Sequence, residues 1–147
     1  MNQKNLFRSA LMAAVFTFSL SSCEKEEIMP SSELPNEITS YISKHFPNNT
    51  IKQVVKDRDG LTKTYDILLS ENISLEFNRQ KEIIDIDGVA KLPDSVIPEK
   101  IREYVANNYP DNFITDWEID GRNQQVELDS GLDLEFNMKG DFLRIDN

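Results

Sequence analysis

The sequence predicts an α+β fold built from two tandem units, each a helix followed by about four short antiparallel strands, with both helices on one face of the sheet. Three observations predict it. The phrase SLEFNRQKEIIDID at residues 74–87 returns as DLEFNMKGDFLRID at residues 133–146. A longer match precedes it, for LPNEITSYISKHFPNNTI at residues 34–51 aligns with IPEKIREYVANNYPDNFI at residues 97–114, setting Pro35 over Pro98, Ile38 over Ile101, Tyr41 over Tyr104 and Pro47 over Pro110. Within each copy the apolar period then changes from 3.6 to 2, as a helix followed by strands requires. The expected organisation is a signal segment (1–22), a lipidated cysteine and tether (23–33), a first repeat (34–87), a connector (88–96) and a second repeat (97–147).

At the N-terminus, Lys4 and Arg8 lead into the apolar run SALMAAVFTFSL. A run of about a dozen residues is too short to span a bilayer and has the length of a signal-peptide core. LSSC at residues 20–23 resembles a bacterial lipobox, in which small residues admit the peptidase and the thiol of Cys23 receives the lipid. Cys23 is the only cysteine, and lipidation explains a lone thiol in an exported chain. Each buried acyl CH2 contributes about 0.8 kcal/mol, so several chains make a stable anchor. The following EKEE, residues 24–27, resembles the tag that sends lipoproteins of one Gram-negative phylum to the outer face of the outer membrane. A cell-surface outer-membrane lipoprotein, or otherwise one on the periplasmic face, is the expected location.

Residues 1–22 hold Lys4 and Arg8 and no acid, so the mature chain sets 26 acidic residues against 14 basic ones, a net charge of −12. Nucleic-acid phosphates would be repelled, which excludes that partner class. A basic protein partner or divalent cations remain open, and so does a charge that only keeps the chain soluble.

Each repeat opens with a proline and an acidic residue, Glu37 or Glu99, suited to a helix N-terminus. Ile38, Tyr41, Ile42 and Phe46 form one apolar stripe, and Ile101, Tyr104, Val105 and Tyr109 form its copy. Pro47 and Pro110 must end these helices. Alternation then takes over: Tyr65, Ile67 and Leu69, then Ile73, Leu75 and Phe77 in one copy; Val126 and Leu128, then Leu132, Leu134 and Phe136 in the other. Such alternation suits antiparallel strands with one dry and one wet face. Asn72, Gly131 and Asp120-Gly121 are the turn signals.

The pattern LP..I..YI...FP...I, followed by a strand pair ending in LEF and a final Ile-Asp, resembles the PepSY-like family of exported bacterial proteins, related in fold to the β-lactamase inhibitor protein. The resemblance spans residues 34–147 and occurs in both copies. It implies a small exported binding or inhibitory module. Lys81, where the second copy has Gly140, and the longer loop at residues 56–63 depart from the pattern, and no inhibitory loop maps onto the chain.

Catalysis is not expected. His45 is the only histidine, at a helix end where a local capping role accounts for it, and no serine has a histidine base to activate it. DRDG at residues 57–60 and DIDG at residues 85–88 begin like calcium loops, but positions 5 and 12 fall on Leu61 and Leu68, and on Val89 and Val96. Asp-Gly turns explain both, and no metal or cofactor is expected.

If the apolar strand positions point inward, Asp66, Ser74, Glu76, Glu127, Asp133 and Glu135 point outward together as an acidic surface. Trp117 has two readings. It lies out of phase with Ile114, which turns it outward as an anchor among carboxylates; a bulge, or a place at the junction of the repeats, would bury it. The candidate binding face is therefore Trp117 with Asp66, Glu76, Glu127, Asp133 and Glu135. The function expected is a non-catalytic envelope module that binds a protein or peptide, such as an exported hydrolase, and meets the membrane only through its lipid. The alternative is a sensor or scaffold that holds a small ligand or cation between the repeats.

Overall fold

The computed structural model describes residues 27–57 and 63–146. The signal segment, the lipobox with Cys23, most of the EKEE tag and all but Asp57 of the DRDG motif lie outside the described residues. Nine strands and two helices follow in the order β1 (Glu27–Ile28), α1 (Asn36–His45), β2 (Ile51–Asp57), β3 (Thr64–Leu69), β4 (Ser74–Phe77), β5 (Ile83–Asp87), α2 (Glu99–Asn108), β6 (Ile114–Asp120), β7 (Asn123–Leu128), β8 (Asp133–Asn137) and β9 (Phe142–Asp146). The strands form a single sheet in sequence order, each antiparallel to the next.

One apolar ladder crosses nearly the whole sheet. Val54, Ile67, Leu75, Ile86, Trp117, Val126 and Leu134 stand directly opposite one another on successive strands, and all seven are buried. The helices press their stripes onto this face. Ile38, Ile42 and Phe46 of the first and Ile101 and Val105 of the second join one core cluster with it. Tyr41 meets Phe77 edge to face at 5.4 Å between ring centroids, and Tyr104 meets Phe136 in the same way at 5.3 Å. Burial pushes the Tyr41 hydroxyl pKa up to about 12.

Local chemistry explains the doubled phrase. Pro35 and Pro98 stand just before their helices, and their carbonyls accept the N–H groups of Ile38 and Ile101, both at 3.1 Å. In each LEFN, the asparagine side chain ties the turn after it: Asn78 Oδ1 accepts from the N–H of Gln80 and Glu82, and Asn137 Oδ1 from those of Lys139 and Asp141. The turn needs a left-handed residue, supplied by Lys81 (φ 65°) and by Gly140 (φ 80°). Asn72 and Gly131 likewise adopt positive φ.

Of the two readings of Trp117 the buried one holds, which removes it from the candidate binding face: it is 7% exposed, because a bulge between Ile114 and Asp116 shifts the phase of β6 and sets the indole opposite Ile86, where β5 and β6 join the two halves. Two further expectations are corrected. Asp85 and Asp87 of the DIDG motif are not in a turn; they belong to β5. His45 does not cap its helix, for its Nδ1 lies 2.9 Å from Ser95 Oγ in the connector and its ring packs at 4.5 Å from Tyr41.

Candidate functional site

The face away from the helices is a carboxylate surface organised by strand register. One row runs Asp66–Glu76–Asp85–Glu118–Gln125–Glu135–Arg144, each residue directly opposite the next. A second row runs Ser74–Asp87–Asp116–Glu127–Asp133–Asp146. Five of the expected face residues, Asp66, Glu76, Glu127, Asp133 and Glu135, therefore share this surface, while Trp117 lies beneath it. Asp85, Asp87, Asp116 and Glu118 belong to the face as well. Their signal was the same alternation, continued through IIDID and, one bulge later, through DWEID.

The middle of the face is a depression of about 600 Å³, lined by Val55, Asp66, Leu68, Glu76, Asp85, Asp87, Asp116 and Glu127 among others. Where β5 meets β6 like charges stand opposite one another, Asp85 against Glu118 and Asp87 against Asp116. Among the described residues no base pairs with Asp85, Asp87, Asp116, Glu118 or Glu127. Partial burial first, and then Asp85, Glu118 and the other neighbouring acids, lift the Asp116 pKa to about 7. Burial and then Glu118 and its other neighbours lift Asp85 to about 6. Glu76 is raised by burial and then by Asp66 and Asp57.

Glu135 occupies in the second half the place Glu76 holds in the first, yet its pKa moves the other way. Asn123 Nδ2 donates to its Oε1 and Arg144 Nε to its Oε2, holding the carboxyl below its ordinary value. The difference lies one strand over, where Glu76 faces Asp85 and Glu135 faces Arg144. Although it is on the open face, Glu135 is covered by these partners and is 6% exposed. The acid-rich centre is thus β3–β7, and the β9 side is internally neutralised.

Beneath the face, Trp117 Nε1 donates to Gln124 Oε1 at 2.9 Å, and Gln124 Nε2 donates to the carbonyl of Asn137 at 3.0 Å. A buried amide so placed fixes the indole by satisfying its one polar atom. The centre of the acidic face therefore rests on a rigid floor. Among the described residues no group of three or more His, Cys, Asp or Glu side chains is arranged to hold a metal ion, and no helix is long and apolar enough to cross a membrane.

A family model described as beta-lactamase-inhibitor-like, PepSY-like matches residues 19–85 and again residues 63–144. The chain belongs to the PepSY-like family. Three solved structures similar to this PepSY-like chain come from Bacteroides. A DUF2874-family periplasmic protein from Bacteroides vulgatus is 28% identical with a TM-score of 0.77, over 83% of this chain and 97% of the other. A protein described as calcium-regulated and periplasmic, from Bacteroides thetaiotaomicron, is 25% identical with a TM-score of 0.79, over 83% and 97%. A periplasmic protein of unknown function from Bacteroides vulgatus is 27% identical with a TM-score of 0.78, over 84% and 100%. No functionally curated protein matches the sequence.

Proposed function

We propose that the chain is a non-catalytic, lipid-anchored module of the bacterial envelope that binds a basic protein or peptide segment on the open face of its sheet. The observation that carries this reading is the pair of carboxylate rows across β4–β7, where Glu76, Asp85 and Glu118 lie in one row and Asp87, Asp116 and Glu127 in the other. Like charges held directly opposite one another repel. A Lys- or Arg-bearing segment laid across the rows would relieve that repulsion, and the depression gives it a recess to occupy. The periplasmic descriptions of the similar structures support an envelope location, and the lipobox at Cys23 supports anchoring, with the EKEE tag directing the protein to the cell surface. The twofold occurrence of helix plus four strands, and the two family matches, support a tandem repeat with one helix per repeat.

One observation favours a second reading, a calcium-responsive module: the similar protein from Bacteroides thetaiotaomicron is described as calcium-regulated. Calorimetric titration separates the two. The purified protein is titrated with an arginine-rich peptide and with calcium chloride, beside a variant carrying Asp85→Asn, Asp116→Asn and Glu118→Gln. Peptide binding that weakens with salt and is lost in the variant supports the first reading. Heat from calcium alone, lost in the same variant, favours the second, and identical behaviour of both proteins removes this face from consideration.

A further inference from the structure

The two outer edges of the sheet are finished differently. At one, β1 covers part of β2, pairing Glu27 with Lys56 and Ile28 with Val55. At the other, no strand among the described residues pairs with the outer side of β9. The matching strand of the first half, β5, is not left open: β6 lies against it, and Ile86 is fully buried opposite Trp117. Ile145 holds the place of Ile86, opposite Leu134 as Ile86 is opposite Leu75, but it is 45% exposed. Leu143 on the same strand and Met138 in the preceding turn are exposed too. Edge strands of soluble proteins are usually protected from pairing, and an apolar, unpaired one is a template for another strand.

The sequence of β9 says which strand fits. Around Ile145 it reads Arg144-Ile145-Asp146, and an antiparallel strand of the same sequence, centred on Ile145, meets it with isoleucine against isoleucine and arginine against aspartate on both sides. Moving the axis by one residue along the strand sets Arg144 against Arg144 or Asp146 against Asp146. A single register is thus both apolar-matched and charge-matched.

We infer that β9 is a self-association edge, where two copies of the chain join about a twofold axis at Ile145 into one continuous sheet. Such an interface is isologous, so both copies contribute the same residues and no open-ended polymer forms. Arg144 and Asp146, already 3.3 Å apart within one chain, exchange partners across the axis. The β5–β6 junction sets acid against acid, whereas this one sets acid against base. A pairing of one short strand from each copy buries less than the roughly 1,200–2,000 Å² of a standard stable interface, so association is weak and depends on concentration.

Cross-linking under mild oxidant of the full chain carrying Cys23→Ala, so that the introduced cysteine is its only thiol, tests this. Antiparallel partners lie about 4.5–5.5 Å apart at Cα, within reach of a disulfide, so Ile145→Cys is expected to yield a covalent dimer. Leu143→Cys, two residues off the axis and too far from its own copy, is expected to yield none. In the Ile145→Cys background, Arg144→Asp or Asp146→Arg alone places like charges opposite each other and should remove the dimer, and mixing the two variants should restore it. The mixture also answers the question of folding, since chains too damaged to fold would not pair. Cross-linking at Leu143 equal to that at Ile145, no cross-link at Ile145 at high protein concentration, or a mixture that stays monomeric would overturn the inference.

Discussion

Asp87 of β5 stands directly opposite Asp116 of β6, at the strand pair that joins the two halves of the molecule. Beside them Asp85 faces Glu118, while on the other side of the same strands Ile86 and Trp117 bury each other. The junction is therefore apolar on one face and self-repelling on the other.

This arrangement sets a pH dependence. Asp85 and Asp116 have folded pKa values raised to about 6 and about 7, so they bind protons more tightly in the folded state than in the unfolded one. Their contribution is fully present below the ordinary aspartate value and is lost as pH rises through 6 and 7. Thermal melts from pH 5 to 8 should show this falling contribution, and Asp116→Asn should flatten it. At a half-open site screened by water and salt, the variant should gain about 1 kcal/mol at pH 8. On the acid side Glu135 acts oppositely, because its hydrogen bonds favour the ionised form and are lost on protonation.

Gln124→Ala should be costly for its size. It strands the indole N–H of Trp117 in a buried place and removes one of the two donors to the Asn137 carbonyl, which keeps the N–H of Gly140. A loss of about 1–3 kcal/mol is expected in urea unfolding followed by circular dichroism, against about 1 kcal/mol or less for Gln125→Ala on the open face.

The paired turns after β4 and β8 predict an asymmetry. A Cβ at Gly140 would lie 2.9 Å from Lys100 Cβ, and its φ of 80° already disfavours a side chain. Gly140→Ala should therefore lose about 1–2 kcal/mol, whereas Lys81→Gly, at a φ of 65°, should stay within about 0.5 kcal/mol of the native chain. Denaturant midpoints of the two variants check this.

Cys23→Ala should abolish incorporation of labelled fatty acid and shift the protein from the membrane to the soluble envelope fraction. Continued labelling would place the lipid on another residue.

Most of the architecture was legible because each half repeats the same grammar. The stripes ending in Phe46 and Tyr109 and the alternation through Leu75–Phe77 and Leu134–Phe136 depend on local periodicity, which a sequence records directly. The position of Trp117 was not fixed by periodicity, since the bulge between Ile114 and Asp116 reverses the phase of everything after it, and a bulge leaves no residue signature here. The acidic face was half legible. Asp66, Glu76, Glu127, Asp133 and Glu135 follow from alternation, but Asp85 and Asp87 were hidden by the following Gly88, which makes the end of a strand look like a turn. The burial of Glu135 depends on Arg144 from the next strand, a register that pattern alone does not give.

The chain has one tryptophan, and it sits where the halves meet, its indole pinned by Gln124. The molecule thus carries a built-in optical probe of its own seam. Intrinsic fluorescence, excited selectively at the indole, reports whether the halves remain joined, whatever each does by itself. A red shift of emission that precedes the loss of ellipticity would mean that the halves part before they melt, and coincident curves would mean that the nine strands come apart as one.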